Sequence, residues 1–304
     1  MLGPVMLLCS TALADLVCGQ VPQGAANNPS FGPLIVTPLK GDVYWTRGGT
    51  GGNNCNTGFI VGDNGVIVVD AKLNPESAQA MLAEIAKITS KPVTHVILTH
   101  SDGDHVNGLP AFPKGIIIIA HQNAAKEMDA PMKAGGRGAP AREYMPTQEI
   151  TKNNEVLTIN GVQLNLIHAA PAHTSGDLAV FLPDQRILFT GDVMATTRPE
   201  PLVHREKGGT SGGFVDFYRA FIALDVDTFV TGHGELVAKS DIQKRMTEVQ
   251  EKRAKISAMV SQGQSLEDIE TSLGESAAAT VPAGGRGPAI ASLTEIIYAE
   301  VKAK

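Results

Sequence analysis

Thr99-His100-Ser101-Asp102-Gly103-Asp104-His105-Val106-Asn107-Gly108 is the stretch from which the rest of the chain can be read. It follows an apolar, β-branched run (Val93, Val96, Ile97, Leu98) with the character of a buried strand. Four side chains of metal-ligating type then fall within six residues: His100, Asp102, Asp104 and His105. In an extended chain side chains alternate, so positions 100, 102 and 104 point to one side and His105 has to turn away from that row. Gly103 has the backbone freedom for such a bend. The spacing predicts two adjacent cations, one on His100 and Asp102 and the other on Asp104 and His105. The competing reading is a polar loop that happens to be rich in His and Asp. Four ligand types packed this closely after a strand make it the weaker one.

Working outward, Val66–Val69 reads as a strand ending at Asp70, and Asn74-Pro75-Glu76 opens a helix with apolar residues Ala78, Met81, Leu82, Ile85 and Ile88 at helical spacing. Pro92 stops it before the metal-bearing strand. This strand–helix–strand crossover sets the ligands at a strand's C-terminal end, the edge where open α/β sheets bind ligands. Upstream, strands are expected at Leu34–Val36, Val43–Thr46 and Gly58–Val61, with Gly48–Gly58 a flexible hairpin loop or, alternatively, a flap over the site. Downstream come a strand at Ile116–Ala120, a long surface excursion over Lys126–Gln148, and hairpins around Asn160-Gly161 and Pro183–Arg186. Ala-Gly-Gly-Arg-Gly occurs at 134–138 and again at 283–287, both read as loops. A loop over Thr196–Gly213, a helix from Val215 to Leu224, a strand at Thr228–Thr231 and helices at Ser240–Ser261, Ser265–Leu273 (Ser265 capping, Asp268 at N3) and Ile290–Val301 complete the pattern. The whole reads as two mixed sheets with outer helices and a helical C-terminal appendage.

With 304 residues, 43% apolar and 18% charged, the chain can bury a sizeable core. Its formal charge of 25 − 31 = −6 offers no basic footprint for nucleic acid. Leu2–Leu13 is a short apolar run, too short to span a bilayer, and its Ala12-Leu13-Ala14 ending resembles a signal-peptidase site, although no Lys or Arg precedes it. Residues 1–14 are expected to be a signal peptide and 15–33 a linker, giving a periplasmic or secreted protein with no membrane association after cleavage. Removal of Cys9 leaves Cys18 and Cys55, which would be free to pair in an oxidising compartment and have no ligand-type spacing.

Three further ligand types follow strand ends: His173, Asp192 and His233. The first cation would take His100, Asp102 and His173, the second Asp104, His105 and His233, with Asp192 bridging or joining the second. Sets of this kind leave a position open for water and are catalytic rather than structural. Imidazole and carboxylate suit zinc, with manganese or iron as alternatives.

The ordered motifs His100-x-Asp102-x-Asp104-His105, Ala-His173-Thr-Ser-Gly-Asp, Phe-Thr-Gly-Asp192 and Gly-His233-Gly resemble those of the metallo-β-lactamase superfamily, over about Val43–Val260. The resemblance implies an α+β fold, a four-layer αβ/βα sandwich, with the catalytic domain at 34–262 and the helical appendage at 263–304. It implies two zinc ions, Asp70 supporting the site from behind the ligands, and a metal-bound hydroxide attacking a carbonyl of a small molecule, with Asp104 orienting the nucleophile. Asp102 is a departure, because the usual motif is His-x-His-x-Asp-His. Among the other cations and histidines, His121 is a candidate supporting residue at a strand end, and His168 an outside candidate for ligation. His204, Arg205 and Lys207 read as a solvated cluster or, as the resemblance suggests, as cations near the substrate, with Lys207 the named candidate. The functional expectation is hydrolysis of a lactam, lactone or ester. Phosphodiester, sulfate-ester or thioester hydrolysis, and metal binding without turnover, are the alternatives.

Overall fold

The computed structural model describes residues 32–133, 142–275 and 291–303. The expected signal peptide, nearly all of the linker, Cys18 and both Ala-Gly-Gly-Arg-Gly segments lie outside the described residues. Strand pairing already begins at Gly32, opposite Gly49, at the end of the stretch expected to be linker.

Seven strands form one sheet in chain order: β1 (Gly32–Pro38), β2 (Val43–Gly49), β3 (Thr57–Val61), β4 (Val66–Val69), β5 (Val93–Ile97), β6 (Ile117–His121) and β7 (Gln148–Ile150). Pairing is antiparallel from β1 to β4 and parallel from β4 to β7. Five strands form the other: β8 (Asn154–Ile159), β9 (Val162–Ile167), β10 (Ala179–Leu182), β11 (Ile187–Phe189) and β12 (Thr228–Val230). Their order is β12-β11-β10-β9-β8, with only β11 and β12 parallel. Both hairpins are present, and Asn160 adopts the left-handed φ of +49° that its turn requires.

Apolar residues from the inner faces of both sheets, among them Val43, Ile67, Ile97, Leu164, Val180 and Phe189, make one core layer. A second lies between the first sheet and helices α1 (Pro75–Ile88) and α3 (Gln122–Lys133), with α2 (Gly103–Val106) contributing Val106. The third joins the second sheet to α4 (Ser211–Ala223), α5 (Lys239–Ser261), α6 (Leu266–Leu273) and α7 (Leu293–Lys302). This is the αβ/βα sandwich. The C-terminal helices pack into its outer layer through Ile269, Leu293, Ile296 and Ile297. Among the described residues no helix is long and apolar enough to cross a membrane.

Three elements depart from the sequence expectation. The excursion over Lys126–Gln148 begins inside α3, whose Ala124, Ala125 and Met128 are buried at helical spacing. The Gly-rich loop after β2 is fastened rather than free: Asn54 and Asn74 donate to Thr50 O, and Asn56 donates to the carbonyls of Thr231 and Gly234. Helix α4 starts four residues early, at Ser211, because Thr210 Oγ1 caps Gly213 N at 3.0 Å.

Gly213 also lets α4 approach the loop before His173, since a Cβ there would lie 1.7 Å from Pro171 O. Alanine gains about 1 kcal/mol of helix propensity over glycine, but a clash with backbone costs about 1–3 kcal/mol. Gly213→Ala is therefore expected to lower the urea midpoint; an unchanged or raised midpoint contradicts the packing described.

Candidate metal centre

Each expected ligand follows a strand's C-terminal end. His100, Asp102, Asp104 and His105 follow β5, His173 follows β9, Asp192 follows β11 and His233 follows β12. The parallel pairing of β4 with β5 and of β11 with β12 brings Asp70, the β5 loop, Asp192 and His233 to one edge. The extended row expected over 100–104 is not formed. A helical turn starts at Gly103, whose φ is not left-handed, with Asp102 as its N-cap, so Asp104 and His105 swing away from His100 and Asp102. The grouping survives by a different local geometry.

Three sets of potential ligand atoms lie within 4.8 Å of one another: His100, Asp102 and His173; Asp104, His105 and His233; and His100, His105 and Asp192. Asp102 Oδ2 is 3.0 Å from His173 Nε2 and 3.8 Å from His100 Nε2. Asp104 Oδ2 is 2.9 Å from His233 Nε2. Asp192 reaches both sets, with Oδ1 3.2 Å from His105 Nε2 and Oδ2 3.8 Å from His173 Nε2. All four imidazoles are buried. The seven side chains named from sequence therefore meet.

The imidazoles are aimed from behind. His173 Nδ1 donates to Leu202 O at 2.8 Å, leaving Nε2 inward. Asp70 accepts from Thr99 N and Oγ1 and lies 2.8 Å from His105 Nδ1. Thr99 Oγ1, its proton committed to Asp70, accepts from His100 Nδ1 at 3.0 Å.

Burial opposes charge throughout, and neighbours decide which groups resist it. Burial lowers His173, but Asp102 and Asp192 push it up to about 10. His105 is held well above its ordinary value, against burial, by Cys55, Asp70 and Asp192. Burial and His105 push His100 well below its ordinary value. Burial raises Asp102 and Asp192, but His173 and His204 around the first, and His233 and His105 around the second, hold both carboxyls well below the usual range.

The donor set fits divalent metal. His100 Nε2, His105 Nε2 and Asp192 Oδ1 are buried and make no hydrogen bond. A buried polar atom without a hydrogen bond costs about 1–3 kcal/mol; His105 Nε2 and Asp192 Oδ1 offset part of that as an ion pair at 3.2 Å, and imidazole nitrogens and a carboxylate oxygen converging in this way suit cations. Asp192 lines a cavity of about 170 Å³ together with Asn53, Asp102, Asp104, Arg198 and His233, among others.

Several surrounding residues were read differently from sequence. His204 and Lys207 are not a solvated cluster. His204 Nε2 is 3.1 Å from Asp102 Oδ2, and Lys207 Nζ donates to Asp102 Oδ1 at 2.5 Å; only Arg205 faces solvent. His121 and His168 stack on each other at 3.9 Å, with His168 Nδ1 on Asp177 O, and neither ring joins a ligand set. Burial and His168 lower His121 to about 4. Three supports went unread. Glu127 on α3 accepts from Ser101 Oγ and Ser175 Oγ, bracing both ligand loops. Asp177, at the end of the quoted Ala-His-Thr-Ser-Gly-Asp motif, accepts from Ala172 N and Thr174 N. Lys72, fully buried and lowered to about 8 by burial, donates to Gly48 O and Cys55 O. Cys55 is buried and unpaired among the described residues.

A sequence model of the metallo-β-lactamase superfamily matches residues 50–233. The chain belongs to that superfamily. A 2,4-dinitroanisole O-demethylase subunit alpha from Nocardioides sp. is 29% identical over 227 residues, 74% of this chain and 63% of the relative. A linear primary-alkylsulfatase from Pseudomonas sp. is 26% identical over 224 residues, 59% of this chain and 41% of the relative. The chain thus spans less than two thirds of either. Among solved structures, a stereoselective inverting sec-alkylsulfatase from Pseudomonas sp. superposes with a TM-score of 0.64 at 16% identity, over 87% of this chain and 47% of its own. A metallo-β-lactamase from Pontibacter korlensis superposes at 0.59 and 16% identity, over 72% of this chain and 99% of its own. These likenesses place the fold in the metallo-β-lactamase superfamily.

Two outcomes follow for this superfamily member. Asp70→Asn keeps one acceptor and loses the charge that holds His105, and is expected to weaken divalent-metal affinity about 10–100-fold; an unchanged dissociation constant by equilibrium dialysis contradicts the role. Near neutral pH the metal-free chain carries protons on His105 and His173, and both must leave before Nε2 can ligate. Affinity therefore rises with pH toward about 10, the value for His173. Titration calorimetry should show a heat that varies with the buffer's ionisation enthalpy, and a buffer-independent heat contradicts this.

Proposed function

We propose that the chain is a dinuclear metal-dependent hydrolase that cleaves a carbonyl bond of a small molecule, a lactam, lactone or ester, with zinc the expected metal and manganese or iron the alternatives. The observation that carries this reading is the convergence of three buried ligand atoms that make no hydrogen bond, His100 Nε2, His105 Nε2 and Asp192 Oδ1, with Asp192 lining an open cavity. His100, Asp102 and His173 would hold one ion, and Asp104, His105 and His233 the other, with Asp192 spanning both. Bound there, divalent ions supply a water acidified to a pKa of about 7 and an electrophile for the scissile bond.

The remaining steps belong to the chain. Asp104 is partly exposed to the cavity and 2.9 Å from His233, and it orients the attacking water. Asp70, Thr99 and Leu202 O keep the inward nitrogens in place. A cavity of about 170 Å³ admits the reacting portion of a small substrate, and the acidic balance gives no support to a nucleic-acid substrate. Export to the periplasm or medium belongs to the same proposal and rests on the leader-like run at Leu2–Ala14.

A second reading, sulfate-ester hydrolysis, is favoured by the sequence likeness to the primary alkylsulfatase. The likeness to the O-demethylase adds an activated aryl ether to the bonds worth testing. The experiment is a screen of the metal-loaded chain against a chromogenic cephalosporin, a lactone, a thioester, a phosphodiester, an alkyl sulfate and 2,4-dinitroanisole. Turnover of a carbonyl probe is expected, falling about 100-fold or more in Asp104→Ala. Turnover of the sulfate alone selects the second reading. Equal rates in Asp104→Ala, or two bound metals with no turnover of any probe, overturn the hydrolase.

A further inference from the structure

Asp102 stands where the superfamily motif has a histidine, and it brings a negative charge that a neutral imidazole does not. The structure surrounds that charge. Oδ1 accepts from Lys207 Nζ at 2.5 Å, and Oδ2 lies 3.1 Å from His204 Nε2. Lys207 ends a short 3-10 turn, Arg205–Lys207, and His204 immediately precedes it. Both side chains end on the Asp102 carboxylate, His204 from the residue that precedes the turn and Lys207 from its last position.

The turn is built into the loop that carries His173. His204 N donates to His173 O at 2.8 Å, and Ser175 N donates to Lys207 O at 2.8 Å. Gly209 passes so near that a Cβ there would lie 2.4 Å from His173 O. Lys207 Nζ also donates to Ser101 Oγ at 3.0 Å, and Glu206 Oε1 lies 2.6 Å from the outer nitrogen of His204.

Building on the metal-centre reading above, we propose that Lys207 is a positioning residue that makes Asp102 the electrical equivalent of a neutral histidine. Lys207 occupies Oδ1, which would leave Oδ2 as the oxygen available to the first cation. Asp102 at −1 and Lys207 at +1 sum to zero, the charge of the neutral imidazole that the motif has at this position. Asp102 and Lys207 are a matched pair, and the departure from the motif is not a weakened site.

The test is cobalt(II) titration of the full-length chain and of Lys207→Met, Asp102→His and the double variant. Affinity is read by chelator competition and coordination by the visible d–d spectrum. Lys207→Met frees Oδ1 and removes a positive charge, so first-site affinity is expected to rise and the spectrum to move toward higher coordination. Asp102→His alone leaves Lys207 uncompensated beside the cation and lowers the affinity; Lys207→Met then raises it by more than the same change does beside Asp102. The two changes are coupled by about threefold or more. Lys207→Gln, which keeps a donor on Oδ1 without the charge, is expected to raise the affinity with the spectrum unchanged. Additive effects, or a lower affinity in both Lys207 variants as a mere brace would give, overturn the pair while two cobalt ions in the unmodified chain leave the metal-centre reading standing. An unmodified chain that binds no cobalt overturns both.

Discussion

The carboxylate of Asp70 is the tie on which the site depends. It sits at the end of β4 with a φ of +65°, and it takes hydrogen bonds from the backbone and hydroxyl of Thr99. Its second oxygen also holds His105 Nδ1. Because Thr99 spends its proton on Asp70, it can only accept from His100. One buried carboxylate thereby orients two imidazoles on the neighbouring strand's loop and leaves their Nε2 atoms facing inward. The backbone follows the same seam: Ala71 N donates to His105 O and Gly108 N to Lys72 O, and a Cβ on Gly108 would lie 1.8 Å from Ala71 O.

Around that tie the centre is a lattice of alternating imidazoles and carboxylates, each stabilising the other's charge where water is excluded. Asp192 lies in the middle, touching His105, His173 and His233. The lattice is anchored to both halves of the sandwich. Glu127 on α3 ties the Ser101 loop of the first sheet to the Ser175 loop of the second, and Asn56 ties the Gly-rich loop to Thr231 beside His233. Cross-sheet bonds of this kind keep ligands from four strand ends in one place without any one loop being rigid by itself.

Much of this was legible. The ligand types follow strand ends, and strand ends are marked by local apolar runs. Helix α1 was given by its periodicity after Asn74-Pro75-Glu76, and α6 by Ser265 and Asp268, whose side chains do bond reciprocally as a capping box. Helix α3 was missed because the glycines and prolines after it masked the spacing of Ala124, Ala125 and Met128, a signal that was there to be used. The Gly-rich loop looked free because glycine permits many conformations; the asparagines within it, Asn54 and Asn56, supply the bonds that select one.

By itself the sequence determined which side chains are available for chemistry and that they cluster at strand ends, since both facts are written in residue type and short-range spacing. Only the tertiary structure decided their pairings. Lys207 meets Asp102 across 105 positions, Ser175 meets Glu127 across 48, and Lys72 reaches Gly48 across 24. Local periodicity carries no information over such separations. A cation is solvated or buried, and a carboxylate exposed or compensated, according to which loops the two sheets bring to their shared edge.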